Sequence, residues 1–299
     1  MMKYLATLIA NPSKADLDYR DVEEVKETLE QEGYTSSNPF WIESNVACDI
    51  PFTGSNIKQA KEHIKKCLTG SEIDIVVQPA KNRRKKILVA DMDSTIVEGE
   101  TLDELAGLIG LKKQVSEITK RAMRGEIDFK ESLLERVSLL KGIPVTAMEE
   151  TLQNITLTSG AIPLVRTMSF NGAYTVLLSG GFSYFTRAIA KLVGFDEGIS
   201  NELVVKNGYL TGQVTEPILD SNAKLEKLRN ISQTRNISIT NAMAVGDGFN
   251  DIPMIVQSGI GISFRGKPAV DAKADASIRF GDLTSLLYVQ GYKTKDFCY

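Results

Sequence analysis

Residues 87–101 read ILVADMDSTIVEGET: four apolar or small residues run directly into two aspartates, Asp91 and Asp93, with one methionine between them. A short, continuously apolar run is the mark of a strand covered on both faces, as in a parallel sheet. Three more such runs follow, YTVLLS (174–179), MAVGD (243–247) and IGIS (260–263), separated by segments of helical pattern. This alternation predicts an α/β core with a Rossmann-like, doubly wound parallel sheet. Between its first two strands, residues 101–157 carry helical pattern and no strand signal, too much for one crossover helix. The reading is a helical cap, 99–157, inserted into a core made of 87–98 and 158–299.

Upstream the pattern differs. KYLATLIAN, the helix DYRDVEEVKETLEQEG with apolar Val22, Val25 and Leu29, the strands PFWIES and VACDIPFT, the helix NIKQAKEHIKKCLTG and the strand IDIVVQPA follow one another. That order, βαββαβ, predicts a ferredoxin-like module over 1–80. The basic run KNRRKK (81–86) reads as a linker, with a local phosphate-binding patch as the lesser alternative. Further on, NELVVKNGYLTGQV is a hairpin turning at Asn207-Gly208, and SNAKLEKLRNISQTRN is a helix capped by Ser221 or Asn222.

Composition narrows the chemistry. The chain has 299 residues, 42% hydrophobic and 24% charged, with a formal net charge of −3. No global basic field points to nucleic acid or an anionic membrane, and no segment approaches a membrane span. The opening MMKYLATLIANPSKAD is a poor signal peptide. Three scattered cysteines, Cys48, Cys67 and Cys298, fit neither a disulfide framework nor a zinc spacing and suggest a reduced, cytoplasmic setting. The single histidine, His63, lies among lysines and reads as a solvated surface residue. Serine–histidine, cysteine–histidine and multi-histidine metal chemistry are thereby disfavoured, leaving carboxylates, lysine, arginine and backbone amides.

Three polar clusters, DMDST, SGGFS and GDGFND, each follow an apolar strand, so one sheet brings them to one edge, where open α/β sheets bind ligands. Asp91 and Asp93 can supply a metal ligand and a proton donor; Asp93 can equally cap the following helix. Asp247 and Asp251, with flanking glycines, offer hard oxygen ligands suited to Mg²⁺, or else a turn with Asp251 as a cap. Ser179 and the glycines after it offer an anion site at a helix N-terminus, or a turn that simply needs glycine. With Lys224 as a cation, the set is a parts list for phosphoryl transfer through an aspartyl phosphate.

DMDST, SGG, a lone lysine and GDGFND resemble the haloacid-dehalogenase superfamily. More closely, DMDSTIVEGETLDELA, RAMRGEIDFKESLLERVSLLKG, LLSGGFSYF and VGDGFNDIPM are similar to its phosphoserine phosphatase family, over about 87–290, and the N-terminal module is similar to an ACT domain. The resemblance implies hydrolysis of O-phospho-L-serine to serine and phosphate, the last step of serine biosynthesis, with Mg²⁺ as cofactor. It implies Asp91 as nucleophile and metal ligand, Asp93 as proton carrier with its carbonyl on the metal, and Asp247 as a further ligand. Ser179 and the Gly180 N–H would hold phosphoryl oxygens, Lys224 would neutralise them, and Asn250 and Asp251 would complete the site.

In the cap, the resemblance implies that Glu100 and Arg136 receive the ammonium and carboxylate of the substrate and that Met123 and Phe129 shut out water. On the residues alone, Glu100 is a first-turn acid, Arg136 a surface residue, and Met123 and Phe129 cap core. Two alternatives stay open: a phosphotransferase from phosphoserine to homoserine, and a non-catalytic amino-acid-sensing protein. The expected partners are the small-molecule substrate and a second copy in a homodimer, with no nucleic acid and no membrane. The loop IANPSKADL after the first strand lacks the glycine common in ACT ligand loops, which makes dimerisation at least as good a reading of the module's role as ligand binding.

Overall fold

The computed structural model describes residues 3–123 and 126–299, the side chain of Met123 excepted. The first part of the chain comprises β1 (Lys3–Ile9), α1 (Tyr19–Gln31), β2 (Thr35–Ser36), β3 (Phe40–Glu43), β4 (Ala47–Thr53), α2 (Ile57–Cys67) and β5 (Asp74–Pro79). Then come β6 (Ile87–Ala90) and four helices, α3 (Thr101–Leu108), α4 (Lys112–Met123), α5 (Phe129–Ser138) and α6 (Thr146–Asn154). The remainder is α7 (Ala161–Phe170), β7 (Tyr174–Phe182), α8 (Ser183–Val193), β8 (Glu197–Asn201), β9 (Leu203–Lys206), β10 (Tyr209–Val214), α9 (Ser221–Thr234), β11 (Ala242–Gly246), α10 (Ile252–Gln257), β12 (Ile260–Phe264), α11 (Pro268–Asp271), β13 (Ala276–Ile278) and α12 (Ser285–Val289).

Six described strands of the core form one parallel sheet of order β13-β12-β11-β6-β7-β8, and β9 and β10 pair apart from it. β6 is interior and every residue of ILVA is buried. Leu88 and Ala90 face one apolar cluster while Ile87 and Val89 face the other, so both sheet faces are covered and the continuous apolar pattern is explained. The sequence reading named four of these strands. It passed over β8, whose EGISN is poor in β-branched residues and pairs only with β7 across a register shift, and β13, three residues long.

Three details depart from expectation. β7 continues through Ser179, Gly180 and Gly181 to Phe182, so SGGF is strand rather than turn. The cap of α9 is Asp220, whose carboxylate accepts the Ala223 N–H at 2.8 Å; Ser221 already lies inside the helix. The hairpin β9-β10 packs on the helical insert: Gly142 N–H donates to the Leu210 carbonyl at 2.8 Å, Leu210 N–H to Ile143 and Val145 N–H to Gly208. A segment remote in sequence therefore belongs to the wall around the insert.

Near the N-terminus, β1–β5 make an antiparallel sheet of order β2-β4-β1-β5, with β3 on β4. Tyr4, Ala6 and Leu8 pack under α1 and α2 through Val22, Val25, Leu29, Ala60 and Ile64. The opposite face meets the core, where Ile9, Ile42, Val46, Ala47 and Val76 join the apolar cluster that contains Leu286 and Val289. Polar groups fasten the same contact. The buried Asp74 carboxylate accepts N–H bonds from Arg279, Phe280 and Gly281, and Gln78 donates to the Val289 carbonyl at 2.7 Å.

The basic run is a strap rather than a free linker. Arg83 pairs with buried Asp49 at 2.5 Å and donates to the carbonyls of Tyr288 and Val289. The Arg84 guanidinium lies 4.2 Å over the Tyr292 ring, and Lys85 donates to the Thr240 carbonyl. Among the described residues no helix is long and apolar enough to cross a membrane.

Candidate active site

Ala90 of β6 pairs with Leu177 of β7 on one side and Val245 of β11 on the other, so β6 and β11 end together while β7 runs on to Phe182 beside them. Asp91, which follows Ala90, donates its N–H to Val245 at 3.0 Å. The chain then turns sharply over Met92–Ile96, with Ser94 in the left-handed region at φ 56°. Asp93 Oδ1 accepts the Thr101 N–H at 2.8 Å, so it does cap α3, whose own N-cap residue Glu100 makes no side-chain cap bond. Its other oxygen receives the Ser179 hydroxyl at 3.3 Å. One carboxylate thus fixes the start of the insert and faces the end of β7.

At the centre is Lys224, fully buried. Its Nζ lies 2.7 Å from Asp91 Oδ1 and 2.6 Å from Asp251 Oδ1. Asp91 Oδ1 also takes the Met92 N–H at 2.8 Å, which leaves Oδ2 as the less engaged oxygen. Asp251 Oδ2 accepts the Gly248 N–H at 3.0 Å, bracing the GDGFND turn instead of capping α10. Burial disfavours the ammonium of Lys224, but Asp251 and Asp91 outweigh it and hold it protonated.

Asp91, Asp247 and Asp251 bring carboxylate oxygens within 4.8 Å of one another. One ammonium among three carboxylates leaves excess negative charge. Burial first, and Asp91 next, push Asp247 up to about 6. Hard oxygen donors, no histidine or thiolate, and a surplus of negative charge fit a divalent cation. Asp247 and Asp91 are the members best placed to hold it, because both Asp251 oxygens are already bonded to Lys224 and Gly248.

In SGGF, Ser179 Oγ accepts the Gly181 N–H at 2.8 Å. A Cβ on Gly181 would lie 3.0 Å from both Asp93 Oδ2 and Ser179 Oγ, and one on Gly180 would lie 3.2 Å from the Phe129 ring. The glycines here serve close approach, not a turn. Buried Asn201 at the end of β8 locks the wall from behind, donating to Gly180 and accepting the Leu219 N–H. Thr95 adds a hydroxyl 3.4 Å from Asp247. Thr95 belongs to the DMDST cluster, whereas Asn201 was not legible as part of the site, since its contacts lie far away in sequence.

Above the strand ends a cavity of about 750 Å³ is lined by Asp91, Asp93, Gly180, Asp247 and Asn250 from the core and by Glu100, Phe129 and Arg136 from the insert. Lys224, Ser179 and Asp251 sit behind this wall. The Met123 side chain lies outside the described residues. Glu100 lines the cavity yet is flanked by protein and acids: burial first, then Asp93, Asp247 and Asp91, push it up to about 8. Ser94 donates to it at 3.1 Å. Burial lowers Arg136, while Glu100 and Asp103 counter it. Opposite charges thus face the cavity from the insert, with Asp103 as an acid the sequence did not single out.

The model of the haloacid dehalogenase-like hydrolases matches residues 88–255, the stretch that carries these strand ends. The chain belongs to the haloacid dehalogenase-like hydrolases. It groups within them with phosphoserine phosphatases. A phosphoserine phosphatase of Archaeoglobus fulgidus is 46% identical over 219 residues, which is 73% of this hydrolase and 64% of that relative. A solved phosphoserine phosphatase with a phospho-aspartyl intermediate analogue is 40% identical, with TM-score 0.65 over 69% of this hydrolase and 98% of that chain. A probable phosphoserine phosphatase of Vibrio cholerae, in unliganded form, is 27% identical with TM-score 0.77 over 99% and 88%.

Proposed function

We propose that this hydrolase converts O-phospho-L-serine to L-serine and phosphate through a phosphorylated Asp91, in the cytoplasm, as the last step of serine biosynthesis. The observation that carries the reading is the Asp91–Lys224–Asp251 arrangement beside Asp247, facing Glu100 and Arg136 across one cavity. Asp91 Oδ2 attacks phosphorus, forming a P–O bond as the bond from phosphorus to the serine oxygen breaks. Asp93, whose hold on a proton is strengthened by burial first and by Asp91 among its neighbours, gives its proton to the departing oxygen. It then takes a proton from the water that attacks the acyl phosphate, releasing phosphate and restoring Asp91.

Mg²⁺ is the cation the donor set suits; Asp91, Asp247 and the Asp93 carbonyl would hold it, and it would supply positive charge to the phosphoryl oxygens and the attacking carboxylate. The Gly180 N–H and Asn250 orient the phosphoryl group, and Ser179 supports that wall from behind through its bond to the Gly181 N–H. Glu100 receives the substrate ammonium, and the planar fork of Arg136 receives its carboxylate. Phe129 and Met123 exclude water. The N-terminal module we assign as ferredoxin-like and ACT-like, supported by its strand order and its two helices on one face; its proposed role is pairing in a homodimer.

The test is phosphate release from phosphoserine with and without Mg²⁺, and with homoserine as a competing acceptor. Serine and free phosphate as products support the hydrolase; phosphohomoserine would replace this reading by the transferase. Arg136→Ala is expected to lower kcat/KM for phosphoserine by about a hundredfold while sparing an aryl phosphate. Equal losses on both substrates contradict the carboxylate role.

A further inference from the structure

The buried Lys224 is already committed to two carboxylates and lies behind the cavity wall. A phosphate ester brings two negative charges to a cavity wall that carries Asp91, Asp93, Glu100, Asp103 and Asp247. Among the described residues the cations on that wall are Arg136 and Lys120 from the insert, and Lys267 from the core. Arg136 stands with Glu100 and Asp103, and Lys120 is exposed on α4. Lys267 alone of these three comes from the loop that abuts Asp247.

That loop is held stiffly. Lys267 N–H donates to the Asp247 carbonyl at 3.1 Å. Gly266 leaves no room for a side chain: a Cβ would lie 2.2 Å from Ser263 Oγ and 3.2 Å from the Asp247 carbonyl oxygen. Arg265, left-handed at φ 47°, donates its N–H to Ile278 at 2.8 Å and its guanidinium to Gly281 at 3.1 Å. Lys267 is half-buried, and no salt bridge engages its ammonium among the described residues. Its charge is felt at Asp247, where it opposes the upward shift.

We propose that Lys267 binds the phosphoryl group directly from the cavity side, as a second lysine of the phosphate site. The assignment rests on the phosphatase reading. Lys224 orients Asp91 from behind, while Lys267 supplies the positive charge that meets the incoming dianion and holds the released phosphate. Nothing in a single sequence marks it, since the residue lies in a loop beyond the polar clusters that drew attention.

The test uses the full chain with Lys267→Gln and Lys267→Arg. Calorimetric titration of inorganic phosphate into the Mg²⁺-containing protein is expected to show binding weakened about tenfold or more by Gln, with KM for phosphoserine rising in parallel. Arg is expected to restore binding to within about threefold, and Mg²⁺ affinity without phosphate is expected not to weaken in either variant. Phosphate affinity in the Gln variant within twofold of the parent overturns the proposal. So does an equal loss in Gln and Arg variants accompanied by weaker Mg²⁺ binding, which marks a structural role for the loop. Normal phosphate binding by a parent protein that does not hydrolyse phosphoserine overturns the substrate reading and leaves the lysine assignment standing; a parent that binds no phosphate overturns both.

Discussion

Lys224 shows how much one residue can depend on tertiary partners. In the sequence it is one lysine among many; in the fold it is, among the described residues, the only cation paired with both Asp91 and Asp251, and it is fully buried. Removing one member of a buried ionic cluster strands the others. Lys224→Met is therefore expected to cost about 3–5 kcal/mol of stability, read as a lower urea midpoint, and a midpoint equal to the parent would refute the pairing. Glu100 carries a pH signature. Its pKa of about 8 in the folded protein lies above the ordinary glutamate value, so between the two the folded state retains a proton that the unfolded chain has lost. Metal-free protein should accordingly lose stability as pH rises toward 8. Thermal melting across pH 5–9 should show a shallower decline for Glu100→Gln, and identical slopes would remove Glu100 as a source.

At the scale of the element, the active site is a set of strand ends whose following turns must come very close. Period and burial made β6, β7, β11 and β12 readable, because a doubly covered strand leaves an unbroken apolar run. The close approaches were not readable. Gly246 at the end of β11 faces Asp251, and a Cβ there would lie 2.4 Å from its carboxyl carbon. Gly246→Ala should push Asp251 away from Lys224 and lower kcat about a hundredfold, the effect of a displacement near 1 Å, without loss of secondary structure by circular dichroism. Near-normal turnover would show that the turn yields without cost. The hairpin β9-β10 is a similar case: its Asn-Gly turn identifies it, while its packing on the insert follows from hydrogen bonds to residues 142–145.

For the whole molecule, the N-terminal sheet and the catalytic sheet are fastened by buried polar groups as well as apolar ones. Asp74 alone answers three N–H groups of residues 279–281. Asp74→Ala should leave them unpaired at a cost of about 2–3 kcal/mol, measured by chemical denaturation; an unchanged midpoint would mean that water replaces the carboxylate. The sequence by itself marked four of the six parallel strands, the run of helices after the first of them, and the three polar clusters that follow apolar strands. These follow from local pattern, because burial on a strand or helix face dictates residue type at fixed periods. Only the tertiary structure decided that Lys224 braces two carboxylates, that Asn201 and Thr95 support the wall, that KNRRKK straps the two sheets together and that Lys267 stands beside Asp247. Each is a meeting of side chains brought together by chain closure, and no periodicity in one sequence encodes such a meeting.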